Sequence, residues 1–185
     1  MWQSSKNDLM SSAITIKTKP TTRRTSISFN RLTSLEIPSV LSIEERNSDY
    51  PWSQLQFTTS IENSNNLCYC LSLKGKTIGY LIAMLSLDTA DILNIGIDPD
   101  FKRQGHGTAL LNHLIEELRK RDIGEILLEV SAGNKSAIQF YKRQGFEEIS
   151  VRKNYYTKNS KNQSQREDGI MMCLIIPSTE IKNVL

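Results

Sequence analysis

No apolar run in the 185 residues approaches the ~18 that a membrane-spanning helix needs, so neither a spanning segment nor a membrane partner is expected. A secretory apolar segment is missing as well. Cysteine is scarce: Cys68, Cys70 and Cys173 are an odd number, without the C-x-x-C spacing of a zinc site. A reducing cytosol fits that usage, the expected compartment is the cytoplasm, and no metal is expected. Cys68 and Cys70 stand two apart on one face of a strand-like run, where thiols pack as small apolar groups. A broad excess of positive charge is also missing. The net +3 arises from residues 1–26 and 152–166, which together carry +9 and leave −6 for the rest. An acidic body argues against a general nucleic-acid binder, which shows one broad basic face, and no DNA partner is expected. No internal repeat is evident, and 185 residues make one domain with a sizeable core, expected to be a monomer.

Residues 1–26 are rich in Ser, Thr and Lys without helical period and read as a flexible extension; being basic and nearly free of acids, they also admit an organellar transit peptide. The folded domain is expected to span 27–177, with 178–185 as a tail. Within it, 26–32 alternates as a first strand, and the spacing of Leu35, Ile37, Val40, Leu41 and Ile43 predicts a helix over 34–47 capped by Thr33 or Ser34. Pro38 fits only in its first turn. Ser53 caps a second helix just after Trp52, itself either a core aromatic or a groove wall. Leu67–Leu73 and Thr77–Leu87 predict a hairpin about Lys74-Gly75, and Ile92 to Asp98 a third strand. Gly96 interrupts that strand and marks a bulge or a close backbone approach.

The stretch from Ile92 to Leu118 organises the chain. A strand runs into Lys102-Arg103-Gln104-Gly105-His106-Gly107, which opens into a helix striped by Leu110, Leu111, Leu114 and Leu118. Amides at such a helix start, with the positive end of the helix dipole, suit an anion such as a coenzyme pyrophosphate. Strand 125–130 follows the helix, so the unit is a crossover with parallel pairing. A helix over 135–144 capped by Asn134, a strand at 146–151, a polar loop or long hairpin tip at 152–167 and a last strand at 169–176 complete the domain. No Lys-Ser/Thr pair follows the glycines, which excludes a P-loop. Leu110 stands where a dinucleotide fingerprint needs its third glycine, and antiparallel hairpins precede the unit, which excludes a doubly wound fold.

Asp98 to Leu111 resembles the acetyl-coenzyme A signature of the GNAT N-acetyltransferases, Gln/Arg-x-x-Gly-x-Gly/Ala, and Asn134 to Phe146 resembles the second signature of that family, N-x-x-A-x-x-x-Y-x-x-x-G-F. Pro51-Trp52, Leu128-Glu129-Val130, Arg152 to Tyr156 and Glu167-Asp168 are similar to the branch that acetylates the N-terminal alanine of a ribosomal protein such as S18. The resemblance covers about residues 28–176. It implies a mixed α/β (α+β) fold with a mostly antiparallel sheet of about six or seven strands, the parallel pair splayed around the cofactor and helices on both faces. It implies acetyl-CoA as co-substrate, held by Arg103, Gln104, Gly105, His106, Gly107 and Thr108 at the pyrophosphate, by backbone groups of Ile95, Gly96 and Ile97 along the pantetheine arm, and by Asn134. Glu129 becomes the base and Tyr141 the acid, with Trp52 and Tyr155 at the substrate. Among its apolar neighbours Glu129 is expected to have a raised pKa.

Bland readings stand beside these. Glu129 also reads as a strand-end carboxylate facing solvent, Tyr141 as a core tyrosine and Asn134 as a cap alone. Lys102 departs from the Gln/Arg of the first signature, and Ser131 and Gly133 replace larger or more polar residues. The basic 152–166 segment suits a solvated hairpin tip or contact with the ribosome. Lysine or a small amine is the alternative acceptor; an acyl-CoA-binding or ribosome-associated module is the alternative outside enzymes.

Overall fold

The structure, a computed structural model, describes residues 27–160 and 163–177. The expectations for 1–26, for 161–162 and for 178–185 lie outside the described residues. In chain order the elements are β1 (Ile27–Arg31), α1 (Ile37–Glu45), α2 (Gln54–Glu62), β2 (Asn66–Leu73), β3 (Lys76–Leu85), β4 (Thr89–Ile97), α3 (His106–Arg119), β5 (Glu125–Ser131), α4 (Lys135–Arg143), β6 (Glu147–Ser160) and β7 (Gln163–Ile175). A 3-10 turn, Pro99–Phe101, joins β4 to α3.

The strands form one sheet in the order β1-β2-β3-β4-β5-β7-β6. Every neighbouring pair is antiparallel except β4 and β5, which the α3 crossover makes parallel. That pairing stops early. Thr89 to Ile92 lie beside Glu125 to Leu128, after which both strands run on unpaired with each other. The cause lies on β4, where the register with β3 skips Leu93 between the Ile82 and Ala83 positions. A bulge bends the strand that carries it, here just past the last parallel pair. The bulge expected at Gly96 thus belongs to Leu93, and Gly96 is a place of close approach.

One core cluster lies between the sheet and α3, where Leu110, Leu111, Leu114 and Leu118 meet Leu71, Leu81, Ile126 and Leu128. A smaller cluster on the opposite face packs Val40, Ile43 and Phe57 of α1 and α2 on Cys68, Cys70, Tyr80 and Ile82. β2 and β3 are therefore covered on both sides and read as continuous apolar runs. The free thiols of Cys68 and Cys70 are packing groups, as their spacing indicates. Among the described residues no helix is long and apolar enough to cross a membrane.

Several boundaries differ from expectation. α1 begins at Ile37, because Pro38 is confined to its first turn and Glu36 reaches back to the Thr33 amide (2.9 Å) and hydroxyl (2.7 Å). α2 starts where expected, since Ser53 and Gln56 form a capping box. The polar stretch after Arg152 is strand: β6 and β7 stay paired from Tyr156 and Glu167 to Ser160 and Gln163, beyond an irregularity that spans Arg152 to Tyr156. Of the two readings of this stretch, loop or long hairpin tip, the pairing is that of the hairpin tip.

Candidate active site

The gap left by the unpaired ends of β4 and β5 opens into a groove of about 640 Å³ between β4, the Gly loop and α4. Of the residues expected at the cofactor, Ile95, Gly96, Ile97, Arg103, Gly105, Gly107, Thr108 and Asn134 line it, and so does Tyr141. Gln104 and His106 do not. The Gln104 amide folds back to the Asp100 carbonyl (3.3 Å), and the His106 ring lies 6.4 Å from that of Phe101.

The loop has the local build of an anion cradle. Gly105 is the N-cap of α3 with φ 85°, a conformation that costs a residue with a Cβ about 1–2 kcal/mol, and Arg103 stands left-handed at φ 61°. The α3 ladder starts with the Ala109 amide on the Gly105 carbonyl (3.0 Å). Among the described residues no acceptor engages the amides of Arg103 to Thr108, which leaves the first-turn N–H groups to point at a ligand. Lys102, Arg103 and Arg143 line the groove as well and give it positive charge. The loop is steadied by Asp98, which is 4% exposed, caps the 3-10 turn at the Asp100 amide (3.1 Å) and meets Arg46 at 2.8 Å and Lys76 at 3.4 Å. Burial pushes its pKa up, but the Asp100 amide and the two cations prevail and hold it below the usual carboxylate value.

Along β4 the groove is shaped by what the glycine lacks. A Cβ on Gly96 would stand 2.6 Å from the Tyr80 ring, so only glycine lets β4 lie over that tyrosine. Tyr141, on α4, is 7% exposed and packs beside the Phe140 and Phe146 rings at 5.2 and 5.4 Å. Burial pushes its phenol up to about 12, so at neutral pH it holds its proton. Asn134 accepts from the Ala137 amide (3.1 Å), capping α4 at the groove wall; the cap and the wall are one residue.

Glu129 does not line this groove. On β5 it alternates with Leu128 and Val130, which face α3, and so projects to the opposite side of the sheet. Its surroundings correct the apolar enclosure read from the sequence: the carboxylate meets the Arg152 guanidinium at 3.0 Å, and its side chain is 17% exposed. Arg152 also covers the Tyr155 ring at 4.9 Å. Gly169 of β7 closes this corner, since a Cβ there would stand 3.2 Å from the Glu129 carboxyl and 3.4 Å from the Tyr155 ring. Trp52 lines neither feature as a groove wall; its ring lies 5.5 Å from Phe57 against the smaller core, and its amide donates to Glu44 (3.1 Å).

Sequence reading missed Asn47, Phe140 and Arg143 in the groove wall. Asn47 donates to the Ile97 carbonyl (2.9 Å), while its buried Oδ1 has no partner among the described residues and is free to accept from a ligand. Phe140 and Arg143 flank Tyr141 on α4, a position that marks them in hindsight; nothing local singles out Asn47. Among the described residues no group of three or more His, Cys, Asp or Glu side chains could hold a metal ion.

Residues 37–146 match the acetyltransferase (GNAT) family. Over 150 residues the chain is 41% identical to the ribosomal protein bS18-alanine N-acetyltransferase of Escherichia coli (strain K12), covering 80% of this chain and 98% of that one. The crystal structure of the ribosomal-protein-S18-alanine N-acetyltransferase from Escherichia coli aligns with a TM-score of 0.75 and 38% identity, over 86% of this chain and 99% of that chain. Arabidopsis thaliana NAA60 in complex with acetyl-CoA shares the fold, with a TM-score of 0.71 and 17% identity over 82% of this chain and 99% of that chain.

Proposed function

The chain belongs to the GNAT acetyltransferase family and is an acyltransferase, and from that premise we propose that it transfers the acetyl group of acetyl-CoA to the α-amine of a protein N-terminal alanine, in a ribosomal protein such as S18. The observation that carries the reading is the early end of the β4/β5 pairing. It leaves an opening with a buried phenol and a cationic loop on one side of the sheet and a carboxylate on the other.

The groove fits acetyl-CoA: unpartnered amides and three cations suit a pyrophosphate, and the open edge of β4 at Ile95 to Ile97 suits an amide-bearing arm. Bound there, the coenzyme supplies an acyl thioester. The residues of the chain do the rest. The neutral α-amine attacks the thioester carbonyl, the new C–N bond forms as the C–S bond breaks, Glu129 takes the proton that the nitrogen sheds, and Tyr141 donates its hydroxyl proton to the departing sulfur and regains one from solvent as Glu129 gives its own up. Arg152 holds the Glu129 carboxylate in place, and Tyr155, over which Arg152 lies, walls the acceptor side. A protein α-amine suits one modest base. Freeing it at pH 7 costs about 1–1.4 kcal/mol from a pKa near 7.7–8.0, against about 4.6 kcal/mol for a lysine near 10.4.

The test is Glu129→Gln, assayed with acetyl-CoA and an alanine-starting peptide. Turnover is expected to fall about 10²- to 10⁴-fold while acetyl-CoA binding by calorimetry is retained. Unchanged turnover removes Glu129 from the mechanism. A wild-type enzyme that ignores the peptide but acetylates an internal lysine or a small amine overturns the acceptor assignment.

A further inference from the structure

Glu44 has no role in the mechanism above, yet it is a carboxylate 5% exposed, bonded to the Tyr80 hydroxyl of the smaller core. No cation pairs with it among the described residues. A buried charge of this kind is costly unless its lone pairs are engaged. Three donors engage them: the Tyr80 hydroxyl, the Asn94 side-chain amide (3.3 Å) and the Trp52 backbone amide (3.1 Å). These come from β3, from β4 and from the α1–α2 connection.

We infer that Glu44 is a positioning residue which fixes the α1–α2 connection at Trp52 relative to the cofactor strand at Asn94 to Gly96. The inference rests on the acetyl-transfer reading. Its geometry is specific in three ways. The Tyr80 ring that Glu44 anchors is the ring that fills the space beside Gly96. Tyr80 also lies 3.2 Å from the Asn94 Oδ1, so phenol, amide and carboxylate lock together. Farther along α1 and just past its end, Arg46 and Asn47 bind Asp98 (2.8 Å) and the Ile97 carbonyl (2.9 Å), so β4 is fastened to the same helix at both ends of its groove segment. Burial, followed by the facing Glu44 charge, raises the Tyr80 pKa, which keeps the phenol a donor. Acyl transfer between two separately held reactants needs its walls placed to a fraction of an ångström, and a shift of about 1 Å costs on the order of 10²-fold in rate.

The experiment compares Glu44→Ala, Glu44→Gln, Tyr80→Phe and, as a destabilised control, Leu118→Ala in the α3 core, by steady-state kinetics below the melting temperature of each. Glu44→Ala is expected to lower kcat about 30- to 100-fold with KM for acetyl-CoA within about threefold of wild type. Glu44→Gln keeps an oxygen for the Trp52 and Asn94 donors and offers its own N–H to the phenol oxygen, so kcat recovers to within about fivefold. Leu118→Ala leaves kcat within about twofold. A Glu44→Ala enzyme with kcat within about threefold of wild type overturns the inference, and so does a folded Glu44→Gln as slow as Glu44→Ala, which would assign the effect to charge. If Glu44→Ala does not fold, Tyr80→Phe decides: it keeps the ring beside Gly96 and removes the hydroxyl, and a kcat loss of about tenfold supports positioning where an unchanged kcat refutes it. Amide exchange at Trp52, followed by NMR without substrate, reads the anchor even if the alanine peptide proves not to be the acceptor. Exchange faster by about tenfold in Glu44→Ala than in wild type supports the anchor, and equal exchange overturns it.

Discussion

The groove between β4 and α4 is made largely of backbone: open amides at the start of α3, a left-handed Gly105, the edge of Ile95 to Ile97 that β5 leaves unpaired and a glycine that admits the Tyr80 ring. The corner around Glu129 is made of side chains from β5 and β6, with Arg152 meeting Glu129 and Gly169 of β7 closing beside them. Backbone sites are encoded locally, because a strand, a glycine pattern and a helix start suffice to build them. Side-chain sites depend on register. A slip of one residue would turn Glu129 to the wrong face of the sheet and Leu128 to the right one.

Substitutions can break the two halves separately. After Glu129→Gln, the largest effect is expected for Tyr141→Phe, with kcat down about 10²-fold and acetyl-CoA affinity within about threefold; a tyrosine that only packs would lose little with its hydroxyl. Because burial raises the Tyr141 phenol to about 12 in the fold against 10 as its ordinary value, the folded state binds the proton more tightly. Its contribution to stability is therefore complete below pH 10 and lost as the pH rises from 10 toward 12, which urea titrations of wild type and Tyr141→Phe will separate. Next comes Gly105→Ala, which strains the cradle by about 1–2 kcal/mol, so KM for acetyl-CoA should rise about tenfold with kcat at saturation retained. Gly169→Ala acts on the other half alone: a methyl against Glu129 and Tyr155 should lower kcat about three- to fivefold and leave acetyl-CoA binding unchanged.

The smallest effect lies outside both halves and supplies a baseline. On α3, hydrogen bonds from Lys120 and then Arg121 hold Glu117 at about 2, below its ordinary 4.5. The folded carboxylate thus gives up its proton more readily than the unfolded one, so the stabilisation is present above pH 4.5 and is lost as the pH falls from 4.5 toward about 2. Both partners are solvated, which reduces it to about 1 kcal/mol. Glu117→Gln should remove that acid-dependent part in denaturant titrations at pH 7 and pH 3, with kcat unaffected.

Much of the fold was legible because its signals are local. The leucine stripe of α3, the capping residues Ser53 and Asn134 and the crossover from Ile92 to Glu125 each need only their own neighbours in sequence. The β6–β7 ribbon was legible only as one of two readings, loop or long hairpin tip, since its outer sequence carries no apolar period to decide between them. In the candidate site, most groove residues follow from the Gly loop and the start of α4. Gln104 and His106 do not line the groove, because motif positions say which backbone is used and not where each side chain turns.

By itself the sequence determined the parallel β4–α3–β5 unit and the glycine-bearing start of α3, since each follows from periodicity, glycine placement and spacing within a few turns of chain, and its two signatures carried the resemblance to the family. Only the tertiary structure decided that the bulge falls at Leu93, that Arg152 meets Glu129 across 23 residues, and that Glu44 gathers Tyr80, Asn94 and Trp52 from as far as 50 residues away. Those contacts depend on which strands become neighbours and in what register, and burial makes them obligatory: a carboxylate or phenol taken out of water must find its partners wherever the fold brings them.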